Sequence, residues 1–239
     1  MTPIILVHGA WHGAWCWLRV LRELEQRERG AVAVDLPGMG EDTTPPAEMS
    51  LDLWAMSIGE VLKQVNKPPL LVGHSMGGLA ISQAAELNPH LVGGLVYLCA
   101  YLPKDGDSLI EMAGRSAPGT SLVEPVFAED GATVSVTDAC LKPAFYADCT
   151  DEDVAFAKAR LKPMGVRPAV EPVHLTPECF GRVPRYYIEC LRDRAVPIDR
   201  QRAMAAASPC REVHTLDTSH SPFLSAPDDL ADILAGIAL

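Results

Sequence analysis

Six short, mostly apolar runs, at residues 4–7, 31–34, 70–72, 95–98, 186–188 and 211–214, constrain the fold of this chain more than any other feature. Runs of three or four apolar residues without polar alternation suit strands covered on both faces, as inside a parallel sheet. Helical patterns at 15–29, 51–65, 76–87, 198–206 and 228–237 fall between them, and Asn88-Pro89 stops the third. The alternation predicts an α/β architecture with a doubly wound, mostly parallel sheet.

That rhythm fails from about residue 101 to residue 182, where prolines recur from Pro103 to Pro177. The expected organisation is a core made of residues 1–100 and 183–239, with 101–182 inserted as a small cap or lid. Within the insertion, residues 151–161 begin with acidic side chains and end near Lys158, Arg160 and Lys162, the charge order a helix dipole favours. The cap is therefore expected to be mainly helical. At 239 residues, a single domain of this kind can bury a substantial core.

Directly after the run at 70–72 stands Gly73-His74-Ser75-Met76-Gly77, which puts Ser75 where a strand turns into a helix. Glycines two residues to either side remove the Cβ atoms that would clash at so sharp a corner. A serine hydroxyl is a poor nucleophile near neutral pH; it needs a base to take its proton and an acid to orient that base. Reactive groups on such a sheet gather at the carboxyl ends of its strands. Asp193 follows the fifth run and His220 the sixth, so Ser75, Asp193 and His220 stand in the order nucleophile, acid, base. Asp217 and Glu189 are alternative acids. The backbone N–H of Met76, and that of Ala10 in the loop after the first run, are candidate donors to an oxyanion.

Charge and composition exclude several function classes. A formal net charge of −11 argues against phosphate backbones and anionic membranes, so neither nucleic acid nor membrane is an expected partner. No stretch approaches the roughly 18 uninterrupted apolar residues of a membrane span. The first seven residues lack a basic n-region, and the seven cysteines form no C-x-x-C pair; both features lead to the expectation of a cytoplasmic protein with reduced thiols. His8 and His12 are four apart, but Gly9 and Gly13 oppose a helix there and no third ligand is evident, so no metal is expected. His8 and His74 are read instead as braces for the backbone. Gly38-Met39-Gly40 lacks the third glycine of a dinucleotide fingerprint and no phosphate loop occurs, so no cofactor is expected. Trp11, Trp54, Tyr101, Leu102, Phe127, Phe145 and Met164 are candidates to line an apolar pocket. Trp11 and Tyr101 lead because they follow the first and fourth runs at the reactive end of the sheet.

Several pieces of the chain resemble the α/β-hydrolases, specifically the group containing plant methylesterases, plant hydroxynitrile lyases and bacterial esterase relatives. The matching pieces are Val7-His8-Gly9-Ala10 with Gly13-Ala14-Trp15-Cys16-Trp17, Asp35-Leu36-Pro37-Gly38, Gly73-His74-Ser75-Met76-Gly77-Gly78, Tyr187-Ile188-Glu189-Cys190 through Asp193 to Pro197, and Ser219-His220. The resemblance spans nearly the full length. It implies triad roles for Ser75, Asp193 and His220, an oxyanion hole from the Ala10 and Met76 amides, and a small cap over the pocket. The activity it implies is that of a serine carboxylesterase, hydrolysing small or medium apolar esters, methyl esters among them, through an acyl-enzyme. The lyase branch typically relies on a threonine in the first oxyanion loop and a lysine just after the catalytic histidine. Those places hold Gly9 and Ser221 here, which removes the cation that would support departing cyanide. A hydroxynitrile lyase-type or other nonhydrolytic reaction and a noncatalytic small-ligand receptor are the alternatives.

Overall fold

The computed structural model describes residues 2–239. Its strands are β1 (Ile4–Val7), β2 (Ala31–Val34), β3 (Leu70–His74), β4 (Gly94–Leu98), β5 (Pro125–Phe127), β6 (Thr133–Val136), β7 (Met164–Gly165), β8 (Arg185–Cys190) and β9 (Glu212–Leu216). Six of them form one sheet in the order β2-β1-β3-β4-β8-β9, with every pairing parallel.

Successive side chains of a strand point to opposite faces, and here both faces are covered. In β1, Ile5 and Val7 join Trp54, Ile58 and Leu79 of helices Leu51–Leu62 and Gly77–Leu87 in one core. Ile4 and Leu6 join Val20, Leu24, Leu230 and Leu234 of helices Leu18–Gln26 and Pro227–Gly236 in the other. All four β1 side chains are fully buried, which is why the run shows no polar alternation. The sheet edges differ: Val32 of β2 and Val213 of β9 are about half exposed.

From β1 the chain passes to β2 on one side and then crosses to β3 on the other. The carboxyl ends of β1 and β3 therefore border a topological switch point, where an open α/β sheet leaves a crevice.

Residues 101–182 contribute no strand to this sheet. They carry the helices Leu109–Gly114, Asp151–Lys158 and Arg167–Val170 and a helical turn, Leu141–Phe145. They also carry a three-stranded antiparallel sheet, β5-β6-β7, which the expectation of a mainly helical insertion omitted. Strands of two to four residues are too short to show a period in sequence. Helix Asp151–Lys158 begins with a capping box between Thr150 and Asp153, and Arg19 pairs with Asp153 to tie it to helix Leu18–Gln26. Among the described residues no helix is long and apolar enough to cross a membrane.

Candidate active site

Ser75 occupies the corner between β3 and helix Gly77–Leu87 with φ +53°, a left-handed conformation that costs a non-glycine residue about 1 kcal/mol or more. The flanking glycines permit it: a Cβ on Gly73 would lie 2.7 Å from the Gly77 carbonyl oxygen, and one on Gly77 would lie 2.6 Å from that of His8. The same contact shows how closely the loop after β1 approaches the corner. The Ser75 N–H donates to Leu98 O at 3.2 Å, and its carbonyl accepts from Tyr101 N–H at 3.0 Å, so the end of β4 pins the turn. Among the described residues, neither the Met76 nor the Ala10 amide donates to a protein acceptor. Both residues line the same cavity as Ser75, and Met76 stands at the positive end of the helix.

His220 is buried and directs Nδ1 to Asp193 Oδ2 at 2.7 Å. Asp193 is buried too. Its Oδ1 accepts the N–H groups of Ala195 at 2.7 Å and Val196 at 2.9 Å, and Oδ2 accepts Gln201 Nε2–H at 3.2 Å. A carboxylate so well supplied is an acceptor only, so His220 carries its proton on Nδ1 and leaves Nε2 as the basic nitrogen. The two alternative acids are engaged elsewhere. Glu189 binds Arg202 at 2.8 and 3.0 Å and accepts Thr215 Oγ1–H at 3.1 Å, while Asp217 pairs with Arg192 at 3.0 Å.

His74, the residue before Ser75, donates from Nε2 to the His220 carbonyl oxygen at 2.8 Å, and Cys99 Sγ donates to that oxygen at 3.5 Å. The His220 loop thus rests on β3, the strand that leads into Ser75. His74, Cys99 and His220 bring potential ligand atoms within 4.8 Å of one another, a cluster that no sequence spacing revealed. The His8 and His12 pair is spent within the protein. His8 donates from Nδ1 to Gly9 O at 2.8 Å and accepts Leu36 N–H on Nε2 at 3.1 Å. His12 donates from Nδ1 to Ala10 O at 2.7 Å and accepts the Tyr146 hydroxyl on Nε2 at 2.7 Å. Burial pushes His8 down to about 4 and His12 down to about 3, and holds His74 well below the ordinary histidine range. All three are neutral at pH 7, so none of them opposes a positive charge on His220.

A cavity of about 410 Å³ opens over Ser75, and among the described residues no acidic or basic side chain lines it. Trp11, Tyr101, Phe127, Phe145 and Met164 all contribute to its walls, Phe127 half exposed. Leu102 does not. It is buried and lines a separate, smaller cleft with Met112 and Met204, while its neighbour Tyr101 takes the cavity side. Trp54 also lies elsewhere, in the core, donating from Nε1 to Pro37 O at 3.0 Å. Wall residues such as Leu109, Val134, Val166 and Val196 escaped sequence reasoning, since an apolar residue in a short element looks the same whether it faces core or cavity. Gln201, which orients Asp193, gave no signal beyond being a polar residue in a helix.

The sequence model of the Alpha/beta hydrolase family matches residues 4–233. Putative methylesterase 11, chloroplastic, from Arabidopsis thaliana is 31% identical over an alignment 246 residues long, gaps included, that covers 98% of this chain and 63% of that protein. The chain thus spans less than two thirds of that relative. Methylesterase 7 of the same plant is 30% identical over 249 residues, covering 98% of this chain and 95% of the relative. Among solved structures, a pyrethroid hydrolase from Sphingobium faniae JZ-2 is similar with a TM-score of 0.86 and 30% identity, over 98% of this chain and 96% of that one. Tomato methylketone synthase I, complexed with 2-tridecanone, has a TM-score of 0.86 at 26% identity over the same shares. With a family match across residues 4–233 and a parallel sheet that carries Ser75 at its switch point, this chain belongs to the α/β-hydrolase family, in its methylesterase-like group.

Proposed function

We propose that the protein is a serine carboxylesterase for neutral, small or medium apolar esters, methyl esters among them, and that residues 101–182 form the cap over its site. The observation that carries this is the 2.7 Å contact of His220 with Asp193, on a loop tied through the His220 carbonyl to His74, the residue before Ser75, whose strained corner opens into an uncharged cavity. The methylesterase names of the relatives support ester chemistry. The seven free cysteines support a cytoplasmic setting.

In the proposed cycle His220 Nε2 takes the hydroxyl proton as Ser75 Oγ attacks the ester carbonyl, and Asp193 stabilises the resulting imidazolium. The Ala10 and Met76 N–H groups receive the tetrahedral oxyanion, each worth about 3 kcal/mol of transition-state stabilisation. Collapse expels the alkoxide, which takes the proton from His220 and leaves the acyl group on Ser75. A water deprotonated by His220 then attacks that acyl group, and collapse of the second tetrahedral intermediate breaks the bond to Ser75 Oγ, which takes the proton back from His220 as the acid leaves. The cavity walls bear on the substrate class: a carboxylate or ammonium placed there meets no counter-ion, and burying it uncompensated is costly.

A panel of neutral and charged esters, compared between wild type and Ser75→Ala, tests the proposal, with mass-spectrometric detection of an acyl adduct on Ser75 during the burst. Undiminished hydrolysis by Ser75→Ala refutes it. A nonhydrolytic reaction is the second reading, because the similar tomato structure is a methylketone synthase. Turnover of a cyanohydrin without an acyl adduct is the outcome that selects it; Ser221, where the lyase branch typically has lysine, weighs against it.

A further inference from the structure

We infer that Asp148, a residue of the insertion, is a positioning residue for His220 acting through Ser219; this rests on the proposed triad. Asp148 lies between the helical turn Leu141–Phe145 and helix Asp151–Lys158. Its Oδ2 accepts the Ser219 backbone N–H at 2.7 Å, and its Oδ1 accepts the Ser219 hydroxyl. Ser219 is buried and directly precedes His220, so this two-point grip holds the peptide from which the imidazole projects.

His220 is therefore held from three directions. Asp193 takes Nδ1, His74 and Cys99 take the carbonyl oxygen, and Asp148 takes the preceding residue. Only the third hold comes from the insertion. Its neighbours reinforce it: the Phe145 ring stands edge-on to the His220 ring at 5.6 Å, and the Tyr146 hydroxyl donates to His12 in the loop that offers the Ala10 amide. Three of the four residues at 145–148 thus touch the base, its loop and the proposed oxyanion loop, and the insertion is a strap across the site as well as its cover.

The force lies in the hydrogen bonds. Arg192 stands 3.6 Å from Asp148 Oδ2, but its side chain is more than half exposed and solvent screens the pair. The Asp148 side chain is only 14% exposed, and its bonds from Ser219 are charge-assisted. Asp148 touches no reacting atom; loss of its grip lets the imidazole wander, and a displacement of about 1 Å can cost roughly 10²-fold in rate.

The rate at which an uncharged phosphotriester, diethyl 4-nitrophenyl phosphate, labels Ser75 tests this without any knowledge of the natural ester. The Ser75 Oγ–P bond forms, the aryl P–O bond breaks, 4-nitrophenolate leaves and the serine proton passes to His220. We expect Asp148→Ala to label roughly ten- to a hundredfold more slowly at an unchanged half-saturating concentration. Asp148→Asn should restore most of that rate, because its amide still accepts the Ser219 N–H and donates to the hydroxyl; Ser219→Ala, which deletes one of the two bonds, should fall between. Labelling of Asp148→Ala at the wild-type rate overturns the inference, as does equal slowing of the Ala and Asn variants in step with a lowered Tm. If Asp148→Ala does not fold, Ser219→Ala decides on the same comparison. Wild-type protein that does not label at all overturns the Ser75 nucleophile itself, a failure separate from that of Asp148.

Discussion

The carboxyl edge of the large sheet and the segment 101–182 both contribute residues to one cavity, and the two are built differently. At the sheet edge, Ser75, Asp193 and His220 follow β3, β8 and β9, strands held in parallel register, most of them between two buried cores. In the segment, Phe127, Val134 and Met164 sit on strands of two to four residues, the last two strands separated by a long connection. The groups proposed for chemistry stand on the stiffest elements, and most of the groups proposed to meet substrate stand on the least regular ones. A site divided this way can change its substrate without disturbing its reacting atoms. Asp148 is the exception, an irregular-segment residue that reaches Ser219, next to the proposed base.

The sharpest way to break that division is through its stiff half. Ser75→Ala should lower kcat on a 4-nitrophenyl ester by about 10⁶-fold, as for other serine triads; retention of turnover would move the nucleophile off the sheet edge. Asp193→Asn should cost about 10⁴-fold through the wrong histidine tautomer, with Asp217→Asn near wild type. A large loss in Asp217→Asn instead would reassign the acid to a side chain that is three-quarters exposed.

Acid stability probes the same half. His8 and His12 have folded values depressed to about 4 and about 3, below the unfolded value of about 6.5. The unfolded chain therefore binds protons first as pH falls, and stability that is complete above pH 6.5 drains away between 6.5 and about 4 for His8, and on to about 3 for His12. For His8 the loss is roughly 3 kcal/mol, read as a falling urea midpoint across that window. A flat midpoint between pH 6.5 and 4 would mean that these rings are not held neutral.

Smaller effects test the insertion. Phe127→Asp, at a half-exposed wall position, should raise KM for an apolar ester about tenfold while changing kcat little, since about 1.4 kcal/mol of apolar contact is lost. A fall in kcat of the same size would give the wall a part in the chemistry. Trp11→Phe removes the indole N–H bond to Val134 O, 2.9 Å long, and should cost about 1 kcal/mol in urea unfolding. No loss there would show that the first loop and β6 are joined by packing alone.

How much of this could be read along the chain follows the same division. The run at residues 4–7 announced β1 because both its faces are buried, and the boundaries of β3 and β8 were missed by only one or two residues, where polar His74, Glu189 and Arg185 extend the ladder past the apolar run. The β5-β6-β7 sheet had no comparable signal, being held together in part by pairing as distant as that of Thr133 with Gly165. Leu102 was misplaced for a related reason: two adjacent apolar residues cannot be told apart until the cavity has a side.

By itself the sequence determined the parallel sheet and the corner that holds Ser75, because both follow from short-range causes: apolar runs buried on two faces, and glycines where a Cβ would meet backbone. Only the tertiary structure decided which acid meets His220. Glu189, Asp193 and Asp217 are all near it in the chain order of strands, and the choice falls to Asp193 because Arg202 and Arg192, arriving from a helix and a loop, engage the other two. Tertiary structure alone also brought Asp148 to Ser219 across 71 residues, a contact set by chain packing at a distance that no local pattern records.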